Sequence, residues 1–314
     1  MFRPSPQLSG SRGEAEVSVL AGEIRKALKG AGTDEEKLIH IASTHNFVER
    51  ALIYKAFSAQ FGLNLDKELK RELAGNIENL IVGVYMDRHE FWAQQIHEAI
   101  KGAGTDEKKL IALVIMMSDD DTQKVSAFYR SLYNKDMFAA IDSDVSGSAD
   151  WARLVKAWMK GQNNASMSAE VAADSLHKAA QGNGTDEDVF ISILCNMSAQ
   201  NFRDVTAVYQ KKFGKTLRET IVKEFTGKSE FAYLLCHDYL VNPAEAVASL
   251  LKQSMKGAGT NDELLVNTTV LFSDYFRGAA IATSYKKFGD LAKDIKVDLT
   301  GKYETAMLAM WGLK

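Results

Sequence analysis

Proline is scarce in this 314-residue chain, which contains only 3 prolines beside 22 glycines. Because proline interrupts helix interiors and punctuates proteins built from many short strands, its scarcity favours long helices joined by glycine turns. The only cysteines, Cys195 and Cys236, are too few for a disulfide framework, and no charged-then-apolar leader opens the chain. We therefore expect a cytosolic protein.

A net positive charge is also missing. The chain has 38 Lys and Arg against 41 Asp and Glu, a net charge of −3. This excludes the bulk positive field of a nucleic-acid binder or of a constitutive membrane binder. No stretch approaches the ~18 consecutive apolar residues of a membrane span. With 46% hydrophobic and 25% charged residues, the composition excludes disordered and collagen-like chains.

One five-residue string recurs four times. It reads Gly-Ala-Gly-Thr-Asp at 30–34 and 102–106, Gly-Asn-Gly-Thr-Asp at 182–186 and Gly-Ala-Gly-Thr-Asn at 257–261. An acid follows each loop threonine, 39 residues later in the first three copies and 38 in the fourth; these acids are Glu72, Asp144, Glu224 and Asp298. A period of about seventy residues indicates a repeat architecture.

Between these anchors apolar residues recur at spacings of three and four, as at Leu38, Ile41 and Ala42, which predicts helices. We predict an all-α fold with five helices in each repeat, broken at the Gly-x-Gly-Thr string, near His45-Asn46 or its counterpart, at Phe-Gly and at a second glycine. The predicted organisation is a tail at 1–15, repeats at 16–87, 88–159, 168–242 and 243–314, and a linker at 160–167.

The recurring string admits two interpretations. In the first it is only a helix–helix corner, in which the threonine hydroxyl caps the next helix; Thr33 and Glu36 have capping-box spacing. In the second, glycines with positive φ turn carbonyls outward at a helix end, and the distant acid completes a set of oxygen ligands for Ca²⁺. Capping requires no distant acid, so the four spaced acids favour calcium.

The predicted calcium shell is incomplete. Three carbonyls and one bidentate acid supply about five oxygens, whereas Ca²⁺ takes about six to eight. The remaining positions suit an oxygen from another molecule, such as a lipid phosphate. A bound ion would then bridge the protein to a membrane, and each partner would strengthen the binding of the other.

The four strings, with their matching acids, resemble the repeats of the annexin family over nearly the whole chain. Lys precedes three of the strings, at 29, 101 and 256, and Gln181 precedes the third. The resemblance implies a slightly curved disc of four five-helix repeats, with calcium loops on the convex face. It also implies reversible, calcium-dependent binding to acidic phospholipid membranes.

Carried over by position, the resemblance implies four main calcium sites, each with three backbone carbonyls and one carboxylate. The ligands are Leu28, Gly30, Gly32 and Glu72 in the first repeat, Ile100, Gly102, Gly104 and Asp144 in the second, Ala180, Gly182, Gly184 and Glu224 in the third, and Met255, Gly257, Gly259 and Asp298 in the fourth. Weaker accessory sites are implied at Thr33 with Glu35, Thr105 with Glu107, and Thr185 with Glu187. We expect the loop lysines Lys29, Lys101 and Lys256 to attract anionic headgroups.

One departure from the family pattern lies twelve residues after each loop threonine. Annexin repeats commonly carry Arg there, whereas this chain has His45, Met117, Met197 and Phe272. None of these side chains replaces the hydrogen bonds of a guanidinium. How the interior of each repeat is braced therefore stays open.

Two other functions also stay open: a helical scaffold that binds partners on a concave surface, and a hydrolase that uses the same carboxylates. We expect no catalysis, since no nucleophile, base and oxyanion donor converge in the sequence. The expected protein is cytoplasmic and docks reversibly at the inner face of the plasma membrane or on organelle membranes. We expect no nucleic-acid partner; self-association on the membrane and a partner for the tail are left open.

Overall fold

Helices make up all the regular structure in the described part of the chain. The computed structural model describes residues 14–29, 32–102, 104–145, 147–161, 167–181, 184–257 and 259–313, and no strand occurs among them. The predicted all-α class is confirmed. Within these ranges, no helix has the length and apolar character needed to cross a membrane. Gly30, Gly182, most of the predicted tail and most of the predicted linker lie outside the described residues.

The helices fall into four sets of five. The first set is α1 (Glu14–Ala27), α2 (Glu35–Thr44), α3 (Phe47–Phe61), α4 (Leu65–Glu72) and α5 (Gly75–Tyr85). The second is α6 (Arg88–Ala99), α7 (Glu107–Ile115), α8 (Asp119–Tyr133), α9 (Met137–Asp144) and α10 (Asp150–Lys160). The third is α11 (Ala169–Ala179), α12 (Glu187–Asn196), α13 (Ala199–Phe213), α14 (Leu217–Glu224) and α15 (Gly227–Val241). The fourth is α16 (Pro243–Ser254), α17 (Asp262–Phe276), α18 (Ala279–Tyr285), α19 (Leu291–Asp298) and α20 (Gly301–Met310).

The predicted break after the second helix is wrong in the fourth set. In the first set Asn46 ends the gap with a capping box to Glu49. The counterparts are Ser273 and Phe276, and α17 continues through both of them to Phe276, with Ser273 buried inside the helix. The chain breaks instead at Gly278, whose φ is 66° and whose N–H donates to the carbonyl of Trp311 at 2.7 Å.

The described chain divides into two compact units, which we call the central unit (93–246) and the terminal unit (14–92 together with 247–313). Within the central unit α10 packs on α7, α12 and α15. Within the terminal unit α5 packs on α17, and α2 packs on α20. Both units have apolar interiors, with Trp158 buried in the first and Trp92 and Trp311 in the second. Cys195 and Cys236 are buried thiols of the central unit.

Arg50 is a buried cation of the terminal unit, with 1% of its surface exposed. Its Nε donates to the carbonyl of Val84 at 2.6 Å, and Nη1 donates to the carbonyls of Ala42 and His45. Nη2 forms an ion pair with Asp274 Oδ2 at 2.7 Å. Because each of its three nitrogens donates to a carbonyl or to the Asp274 carboxylate, the guanidinium joins α3 to α17 without leaving a buried charge unpaired.

Arg88 supplies a second buried guanidinium in the same unit. Its Nε donates to the carbonyl of Leu271 at 2.7 Å, and its Cζ lies 4.9 Å from the Trp92 ring centroid and 4.8 Å from that of Tyr275. The position at which annexins commonly carry Arg is itself buried in all four repeats. In the terminal unit, therefore, guanidinium groups brace the interior from other places in the chain.

The substitution Asp274→Ala tests this bracing. It leaves the Arg50 charge buried without its carboxylate, so we expect the free energy of unfolding to fall by about 3–5 kcal/mol. Urea denaturation followed by circular dichroism measures the change. Asp120→Ala is the matched control, since Asp120 pairs with Lys124 at 2.8 Å with both side chains at least 40% exposed; we expect a loss of no more than about 1 kcal/mol. Equal losses in the two variants would contradict the assignment.

Candidate metal centre

The same backbone hydrogen bond closes all four loops. The residue after each loop threonine donates its N–H to the carbonyl seven positions earlier, at the end of the preceding helix. The pairs are Asp34 to Ala27 at 3.0 Å, Asp106 to Ala99 at 2.8 Å, Asp186 to Ala179 at 2.9 Å and Asn261 to Ser254 at 2.7 Å. Each loop is therefore a tight, reproducible turn between two helices.

The side chain that caps the following helix belongs to this same residue and not to the threonine. Asp34, Asp106, Asp186 and Asn261 are the N-caps, and each accepts from the backbone N–H three positions later. The interpretation of Thr33 as the cap with Glu36 is therefore wrong. An Asp or Asn oxygen accepts the amide, which leaves the threonine hydroxyl for another role.

That role is a hydrogen bond to the distant acid. Thr33 Oγ1 donates to Glu72 Oε2 at 3.2 Å, and Thr185 Oγ1 donates to Glu224 Oε2 at 3.1 Å. The shorter acids make the same contact, since Thr105 donates to Asp144 and Thr260 donates to Asp298 Oδ2 at 3.2 Å. In all four repeats the fold brings the predicted carboxylate to the loop, and both partners are half-buried there.

Each threonine occupies one oxygen of its acid. The second oxygen of Glu72 accepts from Arg71 Nε at 3.0 Å, and that of Glu224 accepts from Lys223 Nζ at 3.0 Å. The Lys223 hydrogen bond holds the pKa of Glu224 below its ordinary value in spite of opposing burial. The carboxylate is therefore the form that stands beside the third loop at neutral pH.

Glycine conformations agree with the prediction of positive φ. Six of the eight loop glycines are described with values between 100° and 140°: Gly32, Gly102, Gly104, Gly184, Gly257 and Gly259. A side chain rarely adopts this region, so only glycine forms the turn without strain. All six glycines are exposed to solvent.

Ten of the predicted carbonyl ligands are described, and across the described ranges none of their oxygens accepts a hydrogen bond from another residue. They belong to Leu28, Gly32, Ile100, Gly102, Gly104, Ala180, Gly184, Met255, Gly257 and Gly259. The two others, of Gly30 and Gly182, lie outside the described residues. Carbonyls at a helix end that lack internal partners are the oxygen donors a hard cation takes.

The three accessory acids differ from one another. Glu107 Oε1 forms an ion pair with Lys228 Nζ at 2.6 Å. In the part of the chain that the structure describes, neither Glu35 nor Glu187 forms an ion pair, although the Thr33 carbonyl accepts from the Glu35 N–H at 3.0 Å. The accessory positions are therefore not equivalent.

Space for a further ligand is present beside the second loop. A cleft of about 470 Å³ in the central unit is lined by His97, Ile100, Tyr129, Lys135 and Asp144, among others. Ile100 and Asp144 are two of the predicted ligands of that loop. The loop lysines Lys29, Lys101 and Lys256 are all exposed, and Lys101 also lies 3.4 Å from Glu98 Oε1.

Comparison with known proteins decides the family. The annexin family model matches residues 20–84, 91–155 and 171–235. The chain belongs to the annexin family. This annexin is 32% identical to annexin A7 of Dictyostelium discoideum over 91% of its own length, and 32% identical to mouse annexin A8 over 93%. It covers 63% of the first protein and 91% of the second.

A solved structure with the same fold is the calcium-bound alpha-14 giardin. The TM-score is 0.86 and the identity 26%, with 95% of this annexin and 99% of the giardin covered. The chain spans about three-fifths of the length of the annexin A7 and annexin A11 relatives that it matches. Annexins are known for calcium-dependent phospholipid binding and are in general membrane-binding proteins and not enzymes.

Sequence reasoning missed three parts of the site: the capping Asp or Asn, the hydrogen bond from the threonine hydroxyl to the acid, and the backbone hydrogen bond that closes the loop. A signal for the cap was present, since Asp or Asn occupies the last position of all four strings and is a strong N-cap residue. The loop-closing backbone bond has no sequence signal, because any residue except proline donates an N–H.

Replacing a loop glycine tests the loop geometry. At Gly104 a Cβ meets nothing within 4 Å, but φ is 111°, so Gly104→Ala adds backbone strain without a clash. We expect it to lower the free energy of unfolding by about 1–2 kcal/mol and to weaken binding of calcium at the second loop. Gly22→Ala, in the middle of α1 with equal room, should instead stabilise by about 0.5–1 kcal/mol. Denaturant melts and calcium titrations of both variants make the comparison; stabilisation by both changes would contradict the strained loop.

Proposed function

We propose that this annexin docks on acidic phospholipid membranes through Ca²⁺ ions held by its four Gly-x-Gly-Thr loops and the matching acids. The observation that carries the proposal is the hydrogen bond from loop threonine to acid, which recurs in all four repeats. It brings a carboxylate to loops whose described carbonyl ligands accept no hydrogen bond from another described residue. The calcium-bound state of alpha-14 giardin, a structural relative, supports the same choice of ion.

The donor set fits calcium by its chemistry. Backbone carbonyls and a carboxylate are hard oxygen ligands, and Ca²⁺ accepts the irregular geometry that a turn offers. In the proposed site the acid gives up or shares the hydrogen bonds that its two oxygens now accept, so that both oxygens can contact the ion. Lipid phosphate takes the coordination positions that the protein leaves open. In the second repeat the cleft beside Asp144 gives a headgroup room to approach.

Charge explains why binding would be reversible. The chain alone carries a net charge of −3, which gives it no reason to stay on an anionic surface. Four bound Ca²⁺ would add roughly +8 and reverse the sign at the loops. Removal of calcium would then release the protein.

The other parts of the proposal follow the family. The four repeats are placed at 16–87, 88–159, 168–242 and 243–314, with a tail at 1–15 and a linker at 160–167. We place the protein on the cytoplasmic side, reversibly at the plasma membrane or organelle membranes, with no catalytic role and no nucleic-acid partner. A scaffold that used the string only as a corner would have no use for four carboxylates held at the loops.

Neutralising the four acids tests the function. We expect the combined variant Glu72→Gln, Asp144→Asn, Glu224→Gln and Asp298→Asn to lose calcium-dependent sedimentation with vesicles of phosphatidylserine and phosphatidylcholine. The amides keep an acceptor for each threonine hydroxyl but remove the charge that the ion requires. Sedimentation across a calcium series, with and without chelator, measures the loss.

The matched control neutralises four surface acids that lie on helices away from the loops, Asp120, Glu170, Asp174 and Asp204. It makes the same change in net charge, and we expect calcium-dependent sedimentation to survive. Sedimentation of the loop variant at the level of the wild type would favour the scaffold. Calcium-dependent release of phosphate from ester substrates by the wild type would favour the hydrolase.

The loop lysines give a separate prediction. Changing Lys29, Lys101 and Lys256 to Gln should weaken binding to acidic vesicles, because each cation near an anionic surface contributes about 1 kcal/mol. Calcium binding without lipid should not weaken, since the lysines supply no oxygen. Vesicle titrations and calorimetric calcium titrations separate the two effects, and a loss of calcium affinity in the absence of lipid would contradict the headgroup role.

A further inference from the structure

Lys228 stands at an unusual place in the central unit. It is the second residue of α15, four residues after Glu224, the main acid of the third repeat. A cation at a helix N-terminus faces the positive end of the helix dipole, which is unfavourable. Its ammonium lies 2.6 Å from Oε1 of Glu107, the first residue of α7 in the second repeat, and the two side chains are 45% and 33% exposed.

Glu107 is the accessory acid of the second repeat. The lysine therefore comes from one repeat, and the carboxylate that it pairs with belongs to the accessory site of another. The ion pair also holds the pKa of Glu107 below its ordinary value. Glu107 is thus a carboxylate whose charge is already matched by a cation of the protein.

The terminal unit places a lysine at the same helix position, but its partner is the neighbour of the accessory acid. Lys302 occupies the same place in α20 as Lys228 in α15, and its ammonium pairs with Glu36, which is adjacent to the accessory acid Glu35. The third repeat offers the contrast. Its accessory acid Glu187 itself forms no ion pair among the described residues, although the adjacent Asp188 pairs with Arg153. Position 148, which corresponds to Lys228 in the second repeat, is a serine.

We propose that Lys228 is a built-in competitor of calcium at the accessory site of the second repeat. Calcium binds at Glu107 only when it displaces the ammonium, whereas Glu187 itself is paired with no cation among the described residues and its site fills at lower calcium. The inference rests on the proposed calcium function. It concerns the order in which accessory sites fill and leaves the four main sites unchanged.

The alternative is that Lys228 and Glu107 form an ordinary exposed ion pair, which contributes only about 0–1 kcal/mol to stability. A pair of that kind affects folding slightly and leaves the number of bound calcium ions unchanged. Calcium binding at an accessory site is therefore the measurement that separates the two.

The experiment compares Lys228→Gln with the wild type in a full-length chain, by equilibrium dialysis against calcium from micromolar to millimolar concentrations. We expect Lys228→Gln to tighten one weak calcium site by about three- to tenfold, because one ion pair and one nearby positive charge are removed. Repeating the titration in the background with the four main acids neutralised isolates the accessory sites. Thermal melts establish that each variant is folded.

Two controls make the result specific. Lys211→Gln makes the same charge change at an exposed position of α13, and it should leave calcium binding as it is in the wild type. The double variant Lys228→Gln with Glu107→Gln should lose the gain, because the carboxylate is no longer there. Glu187→Gln should remove a weak site that is present in the wild type.

Unchanged binding by Lys228→Gln, the same gain in Lys211→Gln, or a gain that persists in the double variant would overturn the competitor role. In each case binding at the main sites would remain, so the proposed function would stand. A wild-type chain that binds no calcium at all would overturn both.

Discussion

The hydrogen bond between a loop threonine and an acid from the far end of the same repeat is the constraint on which the site depends. It forms only when the helices between the two residues are packed, because the partners stand 38 or 39 residues apart. A half-buried carboxylate needs donors to offset its lost hydration. The loop and the packed helices therefore require each other, and this relation is present in all four repeats.

Much of the fold followed from local patterns. Helix spacing, the Gly-x-Gly-Thr strings and the Phe-Gly breaks placed the helices, since each pattern acts within a few residues of the break. The failure came in the fourth repeat, where α17 continues to Phe276, although Ser273 is the same residue type as Ser198, which caps α13 in the third repeat.

The contacts between segments far apart in the chain were not predicted from the sequence. The pairs Arg50 with Asp274 and Lys228 with Glu107 join residues more than a hundred positions apart, and no periodicity marks their partners. The candidate ligands were easier to predict, because the carbonyls come from a conspicuous string and the acids recur at a fixed interval. What the interval did not reveal was the hydrogen bond that holds each acid, or the ion pair that Glu107 forms with Lys228.

The sequence separation between the loop threonine and its acid determines how strongly a bound cation would restrict the unfolded chain. A cation bound by both the loop carbonyls and the acid would close a ring of about forty residues, as a covalent cross-link does. Closing a ring of that size removes much of the freedom of the denatured chain, and the gain grows only slowly with ring length. Because each ring lies within one repeat, the four rings neither overlap nor share a residue. Each ion would therefore stabilise its own repeat independently of the other three.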